Sequence, residues 1–159
     1  IGGAFIEKGH ILHGACRSAG EIAYMRVPAG RLHDVASATY LCREMACKKA
    51  ADPEKVDGRT CFAWVRQGDA TAAAVLDTFC QNLADGLANI ACLCNPDGIV
   101  LGGGIMAQED ILRPKLETAL AARLPAMMLP PKRLAFAKRQ NDAGMLGALY
   151  LLLHRKGSY

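Results

Sequence analysis

Residues 97–106 read DGIVLGGGIM, and this stretch decides the fold class. A short apolar run, GIVL, leads directly into three consecutive glycines, Gly102, Gly103 and Gly104. A strand that ends in glycines ahead of a helix is a common ligand-binding position, because ligands of open α/β sheets lie outside the carboxyl ends of the strands. Glycine removes the Cβ and exposes backbone N–H groups to a flat base or a phosphate. The alternative is a tight strand-to-helix turn without a ligand.

The glycines do not form either of the two best-known nucleotide-binding loops. They lack the G-x-G-x-x-G spacing of dinucleotide-binding folds, and no Gly-Lys-Ser/Thr sequence marks a P-loop. The sequence therefore supports neither a Rossmann dinucleotide site nor a P-loop.

Apolar periodicity on both sides of the glycines predicts helices. Three- and four-residue steps across 69–94 predict one long, half-buried helix, with Val75, Phe79, Leu83, Leu87, Ile90 and Cys94 on its apolar face. Four leucines on one face predict a helix near 108–123, and the sequence RLAFAK after it predicts a strand. The strand near Ile99, this helix and the strand near Leu134 form a predicted βαβ unit with a right-handed crossover. A last helix is predicted over 142–153.

The first part of the chain is predicted from its turn residues. Lys8 and Gly9 separate two apolar stretches and predict a β-hairpin. Residues 15–30 are predicted as a loop with one short strand at most. Ser37 opens a predicted helix, and Thr60 is predicted to cap a brief helix that ends at Gly68. Strands followed by alternating helices and strands indicate an α/β domain.

The composition is that of a globular protein with one domain. The chain has 159 residues, 52% hydrophobic and 21% charged, with a formal net charge of +4. The basic cluster formed by Lys132, Arg133, Lys138 and Arg139 is interpreted as solvated surface. The uncharged stretch 143–153 is shorter than the ~20 residues of a membrane-spanning helix. With no signal peptide at its start, the chain is expected in the cytoplasm and away from membranes.

The seven cysteines do not suggest a metal site. Their number is odd, their spacing is irregular, and the only close pair is Cys92 and Cys94. Zinc sites need paired, turn-spaced ligands. We therefore expect reduced thiols, buried as small apolar residues. The chain begins IGGAF, inside what resembles a glycine-rich turn, so we expect it to be a piece of a longer protein.

The stretch SAGEIAYM, residues 18–25, places one carboxylate, Glu21, among small residues. A lone acid in such a loop is interpreted either as a surface residue or as a fixed acceptor for the hydroxyl groups of a ligand.

Three segments in this order resemble signatures of the ROK family of sugar kinases and sugar-responsive repressors. They are IGGAFIEKGHILHGACRSAGEIAYM, NPDGIVLGGGI and NDAGMLGALYLL. The resemblance spans nearly the whole chain but only the C-terminal half of a ROK protein. It implies a ribonuclease-H-like, actin-like ATPase fold with two lobes. Residues 1–159 would be the single C-terminal lobe, a mixed sheet flanked by helices, and the N-terminal lobe would be absent from this chain.

The resemblance also implies roles for individual residues. Gly2 and Gly3 would lie near the phosphates of ATP, and Gly102–Gly104 would pass close to its adenosine. Glu21 would accept hydrogen bonds from sugar hydroxyls near the anomeric end. The last helix would pack near the nucleotide side of the cleft. ATP and Mg²⁺ are the implied cofactors, and the catalytic base would be an aspartate of the missing lobe.

Two departures from the family pattern concern zinc. The family motif reads Gly-Glu-Ile-Gly-His, and Tyr24 stands where its zinc-binding, sugar-contacting histidine would be. The Cys-x-Cys-Gly-x-x-Gly-Cys cluster that follows in the family is also missing. We expect no structural zinc and treat His10 and His33 as ordinary surface residues. Tyr24 is expected at the sugar site, where it could admit a glycoside in place of a free hexose.

The expected function is the C-terminal lobe of an ATP-dependent hexose kinase, with a glucoside kinase as a narrower form, inactive as an isolated lobe. One alternative is the effector-binding half of a ROK transcriptional repressor, in which case nucleic acid would be a partner. Another is a folded lobe whose ligand binding has decayed. A homodimer formed through this lobe is also expected.

Overall fold

The computed structural model describes residues 1–128, 134–139 and 142–153, apart from the side chain of Leu151. In chain order its elements are β1 (Ile6–Glu7), β2 (His10–Ile11), β3 (Arg26–Val27), β4 (Gly30–Arg31), α1 (Leu32–Ala36), α2 (Ala38–Lys48), α3 (Gly58–Arg66), α4 (Ala70–Cys94), β5 (Ile99–Leu101), α5 (Glu109–Ala121), β6 (Leu134–Phe136) and α6 (Asp142–Leu153). Short 3₁₀ turns lie at Ile22–Tyr24, Pro53–Lys55 and Gly104–Ala107.

The predicted β-α-β order is confirmed. Strands β5 and β6 are parallel, with Ile99 opposite Leu134 and Leu101 opposite Phe136, and α5 connects them. Leu134 and Phe136 are buried while Ala135 between them is exposed, as the alternation of a strand requires. The four leucines predicted for one face of this helix are all buried: Leu112, Leu116 and Leu120 on α5, and Leu124 just beyond its end.

The α/β class is also confirmed, but the strands of the described residues pair in three two-stranded sheets and not in one mixed sheet. β1 pairs with β2 and β3 with β4, both antiparallel, and the third pair is β5 with β6. The β1–β2 hairpin turns at Lys8 and Gly9, as predicted. The β3–β4 hairpin and α1 were not predicted from the sequence. Two-residue strands and a five-residue helix are too short to show periodicity.

The long helix α4 is the centre of the core, and α1, α2, α3 and α5 all pack against it. Phe79 is completely buried, and the buried side-chain amide of Asn82 donates to the carbonyl of Val35 over 3.0 Å, which ties α4 to α1. The prediction that Cys94 belongs to the apolar face is wrong. The last turn of α4 extends past the core, so Cys94 and the neighbouring Leu93 are exposed.

Aspartates, and not Thr60, begin the helices α3 and α4. Asp57 accepts hydrogen bonds at 2.8 Å from both the backbone N–H and the hydroxyl of Thr60. Asp69 accepts from the backbone N–H of Ala72 over 2.8 Å and pairs with Lys49. The Lys49 ammonium also lies 4.9 Å from the centre of the Trp64 ring. These donors hold the pKa of both aspartate side chains below the ordinary value of 3.8, through the Thr60 groups for Asp57 and chiefly through Lys49 for Asp69.

We expect the two caps to make the fold acid-sensitive. Because their folded pKa values lie below 3.8, the unfolded chain binds more protons in acid. Their contribution to stability is complete above the ordinary value and is lost as the pH falls through the folded values. In a double variant, Asp57→Asn with Asp69→Asn, the side-chain oxygen still caps each helix but no longer titrates. Its melting temperature should therefore fall less steeply than that of the wild type below about pH 4.

The control for this experiment is Asp97→Asn. The Asp97 carboxylate is exposed and makes no hydrogen bond or ion pair within the described residues. The control should therefore keep the wild-type slope. Parallel curves for the wild type and the double variant would contradict the role of the caps.

The prediction that the thiols are buried is wrong for most of them. Cys61 and Cys80 are buried, and burial raises the pKa of each thiol to about 12. Cys42 is partly buried, and its sulfur lies 3.9 Å from that of Cys61. The other four lie in a loop or on solvent-facing parts of helices and are exposed: Cys16, Cys47, Cys92 and Cys94. All seven are free.

The described surface agrees with the remaining expectations about charge. Lys138 and Arg139 of the basic cluster are exposed, and Lys132 and Arg133 lie outside the described residues. His10 and His33 are exposed, as predicted.

Among the described helices, none combines the length and the apolar character needed to span a bilayer.

Candidate functional site

The glycine triplet lies at the open rim of the parallel strand pair. Gly102, Gly103 and Gly104 are exposed and follow β5, and the N–H of Ala137, just after β6, donates to the carbonyl of Leu101 over 2.8 Å. A Cβ added at Gly102 would make ordinary contact with Ala137 at 3.7 Å, and one added at Gly103 would meet nothing within 4 Å. Gly103 has φ 107°, a backbone conformation that favours glycine. The rim therefore offers bare backbone beside unfilled space.

A guanidinium bridge that the sequence analysis missed holds the segment after the triplet. The Arg66 guanidinium on α3 donates to both carboxylate oxygens of Asp110 over 2.8 and 3.1 Å and to the Gln108 side chain over 2.8 Å. The shared hydrogen bonds raise the pKa of Arg66 and lower that of Asp110. They tie the start of α5 to α3. The partners lie 44 residues apart, so no local pattern could have revealed the pair.

Glu21 lies in a loop that the backbone holds in place. Its N–H donates to the carbonyl of Ser18 over 3.1 Å, and the carbonyl of Met25 beyond it accepts from the N–H of Leu32 at the start of α1 over 2.8 Å. The Glu21 side chain is exposed and makes no hydrogen bond or ion pair within the described part of the chain. An unpaired carboxylate on an ordered loop can accept hydrogen bonds from the hydroxyl groups of a ligand.

The chain brings Gly3 against this loop. A Cβ added at Gly3 would lie 2.9 Å from the carbonyl oxygen of Gly20, and one added at Gly20 would lie 2.6 Å from that of Gly3. Gly20 is buried and has φ 95°. The sequence places Gly20 directly before Glu21 but does not show this contact with Gly3. Gly2, by contrast, is exposed, and a Cβ there would have nothing within 4 Å.

Tyr24 presents its ring to solvent from the 3₁₀ turn that follows Glu21. It is 70% exposed, which is unusual for so large a side chain. The neighbouring Arg31 on β4 is held by Asp34, with hydrogen bonds of 2.7 and 3.1 Å. Because the Arg31 guanidinium is already paired with Asp34, the exposed Tyr24 ring can contact a ligand bound beside Glu21.

The predicted nucleotide subsite at Gly102–Gly104 and the predicted sugar subsite at Glu21 lie on different segments of the chain. Within the described residues, no hydrogen bond joins the triplet to the Glu21 loop. The expectation that α6 packs near the nucleotide stays a prediction. Its Gly144 and Gly147 are exposed, and an added Cβ at either would meet nothing within 4 Å.

A surface groove of about 540 Å³ between α4 and α5 contains none of the predicted site residues. An ion pair crosses it, from the Lys115 ammonium to the Asp77 carboxylate over 2.5 Å. The remaining lining residues are Cys80, Gln81, Ile111, Pro114 and Thr118.

The described residues include a rim with room for a flat ligand. The open, Cβ-free rim at Gly103 suits a base or a sugar–phosphate backbone. Among those residues, no three His, Cys, Asp or Glu side chains come together as a metal site, so the prediction of no structural zinc stays a prediction.

Comparisons with known proteins identify the family. The sequence model of the ROK family matches residues 1–155. An uncharacterized protein of Clostridium perfringens, CPE0188, is 43% identical over 94% of this chain and 51% of its own length. A glucokinase of Halalkalibacterium halodurans is 28% identical over 99% of this chain and 54% of its own length. A beta-glucoside kinase of Listeria monocytogenes is 28% identical over 100% of this chain and 55% of its own length. The chain thus spans about half the length of the curated relatives it matches.

Solved structures share the fold. A ROK hexokinase from Thermus thermophilus superimposes with a TM-score of 0.80 at 25% identity over 98% of this chain and 55% of its own. A ROK glucokinase from Streptomyces griseus, in complex with glucose and AMPPNP, superimposes with a TM-score of 0.82 at 21% identity. The match covers 98% of this chain and 57% of the glucokinase chain. A ROK transcriptional regulator superimposes with a TM-score of 0.67 at 23% identity. The match covers 84% of this chain and 37% of the regulator chain. The chain belongs to the ROK family and has the actin-like ATPase fold of its sugar kinases.

Proposed function

We propose that residues 1–159 form the C-terminal lobe of a two-lobe, ATP-dependent sugar kinase. The reaction is transfer of the γ-phosphoryl group to a hexose hydroxyl, O6 in the leading form of the proposal. One observation carries it: the unpaired Glu21 carboxylate stands on a loop in backbone contact with Gly3. An acceptor for sugar hydroxyls is thereby next to a glycine segment suited to phosphate. Relatives named as glucokinases and N-acetyl-D-glucosamine kinases support this reading.

In this proposal the chain positions both reactants. Glu21 orients the sugar, Gly2 and Gly3 leave room for the phosphates of ATP, and Gly102–Gly104 leave room for its adenosine. ATP supplies the phosphoryl group, and Mg²⁺ neutralises its charge when both are bound. The base that takes the proton of the sugar hydroxyl belongs to the lobe of the parent protein outside this chain. Residues 1–159 alone are therefore expected to be inactive.

The proposal is tested with the parent protein, by which we mean the two-lobe protein to which the proposal assigns this chain. Purified parent with ATP and Mg²⁺ should convert glucose to a sugar phosphate with stoichiometric release of ADP, and residues 1–159 alone should not. A parent that binds ATP but phosphorylates neither glucose, N-acetylglucosamine nor cellobiose would overturn the proposal. A parent that does not bind ATP at all would favour a lobe whose ligand binding has decayed.

Tyr24 supports a narrower proposal about the substrate. An exposed aromatic ring beside Glu21 can stack on a second sugar, as protein aromatic rings pack on apolar faces of ligands. The beta-glucoside kinase relative supports this form. The measurement is kcat/KM for cellobiose against glucose, expected to favour cellobiose. Tyr24→Ala should remove that preference, and a strong preference of the wild type for free glucose would contradict it.

A repressor is the second candidate function, because the chain also shares the fold of a ROK transcriptional regulator. The two candidates differ in what precedes residue 1 in the parent. A phosphate loop there fits a kinase, whereas a helix-turn-helix would add a DNA-binding function. We further propose a cytoplasmic homodimer formed through this lobe, which sedimentation of the parent would test.

A further inference from the structure

We propose that Gly20 is a positioning residue that couples the loop carrying Glu21 to the segment at Gly3 and Ala4. The contact would fix the position of the sugar relative to the phosphates of ATP. The inference rests on the proposed kinase function and goes beyond it. Gly20 contacts no substrate in this proposal. It acts through the backbone of its neighbours.

The contact between the two glycines is too close for any side chain. A Cβ on Gly20 would lie 2.6 Å from the Gly3 carbonyl oxygen, 2.9 Å from its carbon and 3.0 Å from the Cα of Ala4. All three atoms are backbone, which cannot turn aside as the end of a side chain can. The two chain segments therefore lie directly against each other, with backbone touching backbone.

The Gly3 side of the contact is also restricted, although less tightly. A Cβ on Gly3 would lie 2.9 Å from the Gly20 carbonyl oxygen and 3.1 Å from Cδ1 of Ile22. The same Gly20 carbonyl accepts the N–H of Ile22 over 2.7 Å, which starts the turn that carries Tyr24. Displacing Gly3 thus disturbs the residues on both sides of Glu21.

The backbone of Gly20 adds a second requirement for glycine. It is buried with φ 95°, a conformation that L side chains rarely adopt. Gly9, in the β1–β2 turn, has a similar φ of 80°, but an added Cβ there would meet nothing within 4 Å. Gly9→Ala therefore reproduces the backbone strain of Gly20→Ala without the collision, which makes it a matched control.

The activity test compares these two variants in the parent protein. Gly20→Ala should lower kcat for sugar phosphorylation by about 100-fold, since a displacement of about 1 Å has a cost of that order. The sugar KM should change much less, because Glu21 itself is retained. Gly9→Ala should keep the wild-type kcat. Equal losses in the two variants, or a loss confined to KM, would overturn the proposal.

A second readout does not depend on kinase activity. Hydrogen exchange of the Glu21 and Ile22 amides in the parent should be faster in Gly3→Ala than in Gly2→Ala by about tenfold or more, since only the first substitution collides with Gly20. Equal exchange in the two variants would overturn the coupling. If the wild-type parent phosphorylates no sugar, the proposed function fails, and the exchange comparison still decides the coupling.

Discussion

Changing Glu21 to glutamine in the parent protein is expected to lower kcat/KM for sugar phosphorylation by about 10- to 100-fold. Glutamine keeps the size of the side chain and one acceptor oxygen but loses the charge. Hydrogen bonds to a charged group contribute about 1.5–3 kcal/mol, and each 1.4 kcal/mol corresponds to a factor of ten. Steady-state rates with varied sugar at saturating ATP measure the loss. The KM for ATP should change little, because Glu21 faces the sugar in the proposal.

The control for this prediction is Glu7→Gln. Glu7 lies on β1, is exposed, and makes no side-chain hydrogen bond or ion pair in the described part of the chain. It should keep the wild-type rate. If Glu21→Gln also keeps that rate, Glu21 is a surface residue and the sugar subsite lies elsewhere.

Phe79→Ala is expected to destabilise the protein by about 3–5 kcal/mol, the usual range for removing a fully buried phenylalanine. Phe79 is 0% exposed and lies on α4, against which α1, α2, α3 and α5 pack. The cavity would therefore open inside the core cluster that packs around α4. Urea denaturation of the intact protein, followed by circular dichroism, gives the change in the free energy of unfolding.

The neighbouring Thr78 provides the matched control for this prediction. Its hydroxyl donates to the carbonyl of Ala74 on the exposed face of α4. Thr78→Ala should change stability by no more than about 0.5 kcal/mol, as surface substitutions usually do. A loss below about 1 kcal/mol for Phe79→Ala would mean that the core of α4 differs from the packing described here.

Long-range periodicity made much of the fold predictable. The 25 residues of α4 repeat an apolar face often enough to identify the helix, and the regularly spaced leucines on and just after α5 identify that helix in the same way. The β3–β4 hairpin and α1 were missed, because their few residues are ordered by neighbours more than by their own pattern. The sequence predicts Thr60 as the cap, but Asp57, three residues earlier, provides the acceptor oxygen. The choice between them depends on where the helix starts, which single residues do not show.

The candidate site, like the fold, could be predicted from the sequence only in part. Gly102–Gly104 and Glu21 stand out in the sequence because each interrupts a local pattern, and the family resemblance implies their roles. The contact of Gly20 with Gly3 and the bridge of Arg66 to Asp110 join residues 17 and 44 positions apart in the sequence. Only the folded chain shows such contacts, and for that reason the sequence points to Glu21 and Gly3 but not to the contact of Gly20 with Gly3.

The position of Trp64 gives the chain an optical signal of its own. It is the single tryptophan of these 159 residues, and the Lys49 ammonium over its ring is also the partner of Asp69. Neutralising that aspartate removes the ion pair that helps to hold the ammonium over the indole, so we expect the emission of the indole to respond to the protonation of the helix cap. Indole fluorescence can thus separate the local loss of this cap in acid from the global unfolding of the lobe.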